Sequence, residues 1–271
     1  MINYEQLIEK YLKLGVSKKD LPTKEMIKTP EQIEGIRYAS ICNTKILDAV
    51  DKEIKIGMST QDIDDIVARE TKKFEGQSAP LEVNFPKCVC TSVNDCVCHG
   101  IPSKNVILKE GDIVNVDVET KIKGYYGDSS RMYMMGKVDP IAKELVEVTK
   151  EALDLCVKEI KPFMRLGDIG YIINKHVTKH GFSVVREIGG HGVGIEMHED
   201  PYVCHWGKKD TGMVLFPGMI FTIEPMINEG DRHVFLDSSN DWEIYTQDGL
   251  LSAQWEYTLL MTEEGLEVLA K

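Results

Sequence analysis

The chain has 271 residues, 42% of them hydrophobic, with 44 acidic residues against 32 basic and a net charge of −12. That length and apolar share suit one large folded domain or two smaller ones, and the negative balance argues against a broad nucleic-acid surface. No run of about 18 apolar residues offers a membrane-spanning helix, and the N-terminal MINYEQLIEK lacks the apolar stretch of a signal peptide. A cytoplasmic protein is therefore expected. Its seven cysteines are expected to be reduced thiols. The Cys88-Val-Cys90 and Cys96-Val-Cys98 spacings differ from those of a zinc finger and suit half-buried strands.

In chain order, residues 1–14 predict a short amphipathic helix with Tyr4, Leu7, Ile8, Tyr11 and Leu12 on one side, ended by Gly15. A polar link follows. Thr29-Pro30-Glu31-Gln32 is a helix start, with an N-cap threonine, proline in the first turn and Gln32 at the capping-box position. This helix should reach 50–53, and a second should run from Ser59 or Thr60 to Gly76. The stretch 79–120 reads as strand-rich. Gly124 then breaks a hairpin between the strand carrying Asp117 and Met132–Met135. Pro140 opens a long helix to Ile160, and Asp168–His180 forms the next. Strands are expected near Val184 and Val203, then at 219–227, 242–246 and 255–261. Helix-helix-strands, repeated, argues for an α+β domain with two pseudo-symmetric halves.

The repetition is explicit in the residues. Gly111-Asp-Ile-Val-Asn-Val-Asp117 is echoed by Gly218-Met-Ile-Phe-Thr-Ile-Glu224, at an offset of 107. Leu47–Ile63 and Leu153–Ile169 share nine of seventeen positions at an offset of 106. Side chains two apart share a strand face, so Ile113, Asn115, Asp117 and Glu119 point one way, as do Ile220, Thr222 and Glu224. Inward carboxylates among apolar neighbours need neutralising, and matched ones suggest two half-sites around positive charge.

Other metal-capable residues surround the pair. Asp128, eleven residues after Asp117, should be brought beside it by the hairpin, where two like charges call for a cation between them. His191 lies in the glycine-rich Gly189-Gly-His-Gly-Val-Gly194, and Glu256 in Gln254-Trp-Glu-Tyr-Thr258. Asp117, Asp128, His191, Glu224 and Glu256 are thus five candidate ligands, suited to Mn²⁺, Fe²⁺, Co²⁺ or Zn²⁺. Four carboxylates fit two divalent ions better than one. Asn115 and Thr222 are candidates to orient the carboxylates.

The stretches Asn94–Pro102, Asp117 to Asp128, Gly190–Gly194, His198-Glu-Asp-Pro201, Phe221–Pro225 and Ser252–Glu256 together resemble the type I methionine aminopeptidases, in order, over roughly residues 28–271. The resemblance implies the pita-bread (creatinase/aminopeptidase) fold, two pseudo-symmetric halves around a central antiparallel sheet, with the same five residues as metal ligands. It implies that His99 and His198 contact substrate. In that chemistry a divalent ion lowers the pKa of water, Glu224 accepts the proton and passes it to the leaving amine, His198 donates to the scissile carbonyl, and His99 positions the amide. Phe85, Cys90, Met197 and Trp242 would wall the methionine pocket. Two departures stand out: Pro80–Phe85 is one residue short, with Val83 near a usually aromatic position, and Met197 replaces a frequent phenylalanine.

The resemblance therefore implies removal of the initiator methionine from nascent chains whose second residue is small, by a monomer with no nucleic-acid or membrane partner. Residues 1–27 lie outside the catalytic domain of 28–271 as an extension, for which packing on the domain is favoured over docking on the ribosome. An Xaa-Pro aminopeptidase, which usually carries a further N-terminal domain, and a non-catalytic binding protein, which would have lost ligands, are the alternatives.

Overall fold

The computed structural model describes residues 4–271. Helices form where caps start them and apolar stripes cover the sheets. Helix α1 (Tyr4–Lys13) lays Leu7, Ile8 and Tyr11 against the main core, while Leu12, expected on the same face, is exposed. Helix α2 (Pro30–Glu53) starts at the expected Thr29/Gln32 capping box, and α3 (Thr60–Lys73) starts at Ser59 with Asp62. Strands β1 (Gln77–Ser78), β2 (Cys90–Val93), β3 (Cys96–Cys98), β4 (Ile113–Ile122) and β5 (Tyr125–Met134) complete the first half. The region 79–120 is less strand-rich than expected, because 79–83 is a 3₁₀ turn opened by Pro80 and 99–112 is mostly irregular.

The second half repeats the plan. Helices α4 (Pro140–Glu159) and α5 (Leu166–Lys179) precede β6 (Ser183–Val184), β7 (Gly190–Gly192), β8 (Glu199–Val203) and β9 (Ile220–Ile223). Then come β10 (Met226–Asn228), β11 (Val234–Leu236), β12 (Ile244–Thr246), β13 (Ser252–Gln254), β14 (Tyr257–Met261) and β15 (Leu266–Ala270). The expected strand 219–227 is divided by Pro225, which has no N–H for a ladder.

The echo in sequence is an echo in structure. C-caps Ile54 and Ile160 occupy matching positions. So do the bonds from Ser59 N to Asp62 and from Arg165 N to Asp168, at 2.7 and 2.8 Å. Gly111 and Gly218 share a φ of 96°, a left-handed conformation that favours glycine at the mouth of each strand.

All strand pairs are antiparallel. β4 sits between β1 and β2 on one side and β5 on the other, and a second sheet runs β15-β14-β9-β7-β8. The two meet at a backbone bridge between Ser130 and Glu256. Helices α2 and α3 cover the β4 side around Ile46, Leu47, Val50, Ile63 and Val67. Helices α4 and α5 cover the other, around Leu145, Leu153, Ile169 and Ile173. Helices outside and paired half-sheets inside, with the seam at their centre, make the pita-bread fold. Among the described residues no helix is long and apolar enough to cross a membrane, and all seven cysteines are free thiols.

Candidate active site

The β4–β5 hairpin turns on Lys123 and Gly124, with φ of 53° and 84°, the doubly left-handed geometry that two-residue hairpins prefer. This tight turn fixes the register: Asp117 faces Ser130, and Glu119 faces Asp128. Asp117 and Asp128 are therefore diagonal neighbours, not the side-by-side pair expected. The residue directly across from Asp128 is Glu119, a carboxylate not nominated from sequence. Oxygens of Asp117, Glu119 and Asp128 all lie within 4.8 Å of one another.

The other half of the seam brings His191, Glu224 and Glu256. Glu224 leaves the end of β9, where Thr222 donates to its Oε1 at 2.7 Å and accepts from His191 N at 3.1 Å. Gln254 Nε2 donates to Glu224 Oε2 at 3.3 Å. His191 Nδ1 lies 3.0 Å from the Gly192 carbonyl, so that nitrogen carries the proton and Nε2 keeps a free lone pair. Nε2 is 3.6 Å from Asp128 and 3.5 Å from Glu224. Ligand atoms of Asp128, His191 and Glu256 also lie within 4.8 Å of one another. Thr222 thus orients Glu224 as expected. Asn115 instead holds the Ser130 hydroxyl and the Gln254 carbonyl, at 3.0 and 2.7 Å, so it fastens the seam and touches no carboxylate of the cluster through its amide.

Electrostatics decide what the cluster requires. Burial pushes Asp117 up to about 7. Burial pushes Glu224 up to about 8, against the opposing Thr222 hydrogen bond. Glu119, Asp128 and Glu256 rise well above the ordinary carboxylate range, through burial and then the charge of neighbouring acids in the cluster, Asp117 and Glu224 among them. Burial lowers His191 to about 4. A set of buried acids resisting ionisation beside an imidazole poised to donate a lone pair is what a bound cation would relieve. Asp117 Oδ1, Asp128 Oδ1 and Glu119 Oε2 are buried without a hydrogen-bond partner. The donor set, oxygen-rich with one imidazole nitrogen, fits divalent metal ions.

The cluster lines a cavity of about 310 Å³ that brings together all the ligand, catalytic and pocket residues expected from sequence. Phe85 and Trp242 meet edge to face at 5.3 Å, with Cys90, Met197 and His99 on the same cavity. His99 has φ of 56°, and burial lowers its pKa, with the charge of His198 adding to the effect. His198 stands edge-on to His191 at 4.4 Å between ring centres, and burial lowers its pKa too. The loop bearing His198 is tied down by Glu199, which pairs with the buried Lys28 ammonium and accepts from Ile195 N at 2.7 Å. Three further contributors escaped the sequence reading. Glu119 and Gln254 share strand faces with nominated residues, which was a usable signal. His205, fully buried and accepting from Glu224 N at 3.1 Å, gave none.

Residues 34–263 match the model of metallopeptidase family M24. The methionine aminopeptidase of Chlamydia muridarum is 44% identical over 247 residues, covering 90% of this chain and 84% of that one. The chain belongs to metallopeptidase family M24, among the methionine aminopeptidases. Two solved structures named as methionine aminopeptidases agree with it. That of Rickettsia prowazekii has a TM-score of 0.88 at 39% identity, covering 90% of this chain and 99% of its own. That of Thermotoga maritima has a TM-score of 0.88 at 42% identity, covering 90% and 98%. Membership in a metallopeptidase family implies divalent metal, in keeping with the donor set at the seam.

Proposed function

We propose that this chain hydrolyses the N-terminal methionine from nascent polypeptides with a small second residue, working in the cytoplasm as a monomer with two divalent ions. The observation that carries the reading is one cavity lined by two contrasting sets of residues. Asp117, Asp128, His191, Glu224 and Glu256 supply its polar lining, and Phe85, Cys90, Met197 and Trp242 supply an apolar, sulfur-bearing lining beside them. An unbranched thioether side chain suits such a lining, since its polarizable sulfur packs well on ring edges.

Asp128 belongs to both metal-capable groups, which supports two ions held by Asp117, Asp128, His191, Glu224 and Glu256; Mn²⁺, Fe²⁺, Co²⁺ and Zn²⁺ would all suit the donors. When bound, the ions lower the pKa of water and polarise the scissile carbonyl. The protein groups do the rest. Glu224 takes the proton at a carboxylate oxygen and returns it to the leaving amine. His198 donates an N–H to the carbonyl oxygen as negative charge grows there, and His99 holds the scissile amide. With their pKa values lowered, both histidines are neutral donors near pH 7. Residues 28–271 form the catalytic domain. Residues 1–27 are an extension whose packing through α1 supports a stabilising role over ribosome docking.

The test uses protein stripped with chelator, reloaded with Mn²⁺, Fe²⁺, Co²⁺ or Zn²⁺ and offered Met-Ala-Ser, Ala-Ala-Ser and Ala-Pro-Ser. Release of methionine from the first alone, dependent on metal and lost in His191→Ala, is expected. Cleavage confined to the proline peptide would instead make it an Xaa-Pro aminopeptidase, and no cleavage with any metal would leave it a binding protein.

A further inference from the structure

Glu119 has no part in the five-ligand centre, yet it points into it. Alternation along β4 places it on the Asp117 face, and the hairpin register places it directly across from Asp128. We propose that Glu119 is a sixth protein ligand of the metal centre, on the side of Asp117, adding a further carboxylate to an ion site that Asp117 and Asp128 already line with carboxylate oxygen. The assignment rests on the two-ion reading above.

Three observations support it. The first is proximity: oxygens of Asp117, Glu119 and Asp128 converge within 4.8 Å as a second group, sharing only Asp128 with the group that includes His191 and Glu256. The second is unmet hydrogen bonding. Glu119 Oε2 is buried without a partner, as are Oδ1 of Asp117 and of Asp128, residues only 8% and 2% exposed. Each of the three side chains of this group thus carries a buried oxygen with no hydrogen-bond partner, and unpaired buried carboxylate oxygens are costly unless a cation meets them.

The third is contrast with the rest of the molecule. Glu70 is paired with Arg69 and Lys73, Glu199 with Lys28, and Asp168 accepts from the Arg165 and Asp210 amides at 2.8 and 2.9 Å. The fold supplies partners for these buried acids and supplies none to Glu119 Oε2.

The consequence is asymmetry between the two ions. The group containing His191 offers a nitrogen, which suits Zn²⁺, Co²⁺ or Fe²⁺. The group containing Glu119 offers only carboxylate oxygen, which suits Mn²⁺ or Mg²⁺. Glu119 also brings the carboxylates at the seam to five, so departure of either ion exposes more negative charge to itself.

The experiment measures metal binding rather than turnover. Chelator-stripped full-length protein is titrated with Mn²⁺, and separately with Zn²⁺, by calorimetry. Mn²⁺ occupancy is read in parallel by electron paramagnetic resonance, where a spin-coupled pair differs from a lone ion. Wild type should bind two Mn²⁺ and show the coupled signal. Glu119→Gln, equal in size and uncharged, should keep one site unchanged and weaken the other by about 10–100-fold, the range seen when groups supporting a metal site are lost. The same variant should lose less affinity for Zn²⁺. Glu119→Ala is the second variant and should reproduce the isotherm. Two equal sites in wild type and in both variants would overturn the role of Glu119 while leaving the two-ion reading intact. Equal weakening of both sites would overturn its place beside Asp117. A single Mn²⁺ in wild type would overturn the two-ion reading itself and the assignment with it.

Discussion

Thr222 shows how much of the site is carried by a residue that contacts neither metal nor substrate. Fully buried, it donates to Glu224 at 2.7 Å and accepts from the His191 amide at 3.1 Å, so one hydroxyl sets two ligands relative to each other. Thr222→Val keeps the shape and deletes both bonds, leaving a buried carboxylate oxygen and a buried amide unsatisfied, at about 1–3 kcal/mol each. The expected outcome is a fall of about 10–100-fold in metal affinity or kcat/KM, with Thr222→Ser restoring most of it. Metal titration and peptide hydrolysis, run on the same preparations, check both parts. Residues such as Thr222 were legible because strand alternation places position 222 beside 224. His205 was not, since nothing in Val203-Cys-His-Trp206 reveals that the fold sets its Nε2 against the Glu224 amide.

Between elements, the site depends on how closely backbones approach. Gly127 in β5 lies against α2, where an added Cβ would meet the Ala39 carbonyl carbon and oxygen at 2.8 Å and Ser40 N at 2.9 Å. These are backbone atoms of a packed helix and cannot swing aside. Gly127→Ala should therefore push β5 off α2 and cost about 1–3 kcal/mol, the usual range for overpacking. Because Asp128 is the next residue, metal binding should weaken as well, a displacement of about 1 Å being enough to cost on the order of 10²-fold in rate. A lower urea midpoint with an unchanged slope, together with weaker Mn²⁺ binding, is the expected pair of results. Elements with chemical punctuation were readable from sequence. The Thr29/Gln32 box, Pro140 and the Ser59 cap place their helices within a residue or two. Strands without alternation were not. β11 exposes Phe235 and Leu236 to solvent, and β15 follows Gly265 at the edge of its sheet. The register of the β4–β5 hairpin follows from its turn. A two-residue turn at Lys123-Gly124 pairs 122 with 125, and counting back from there puts Glu119, not Asp117, opposite Asp128.

For the whole molecule, two half-sheets meet at a seam of acids that only a cation can keep ionised in the interior, so folding and metal binding are linked. Asp117 is raised to about 7 and Glu224 to about 8 without metal, while an unfolded chain ionises such groups near 4. Between those values the folded chain holds protons that the unfolded chain has released. Stability of the stripped protein is then greatest below the unfolded value and is lost as pH rises through the folded one. The lowered histidines, His191 and His205 at about 4 and 3 and with them His99 and His198, act in the opposite sense, an effect that fades as pH rises through about 6.5, where unfolded histidines release their protons. From pH 6.5 to 8 the five raised acids outweigh this fading opposition, each proton difference contributing about 1.4 kcal/mol per pH unit. Metal-stripped protein should thus melt at falling temperatures from pH 6.5 to 8. Protein saturated with Mn²⁺ should show the reverse trend, because metal competes with protons for the same oxygens and binds more tightly as they leave. Thermal melts at pH 6.5, 7.2 and 8.0, with chelator and with Mn²⁺, give the comparison. Parallel curves in the two conditions would show that the carboxylates at the seam are not where the metal binds.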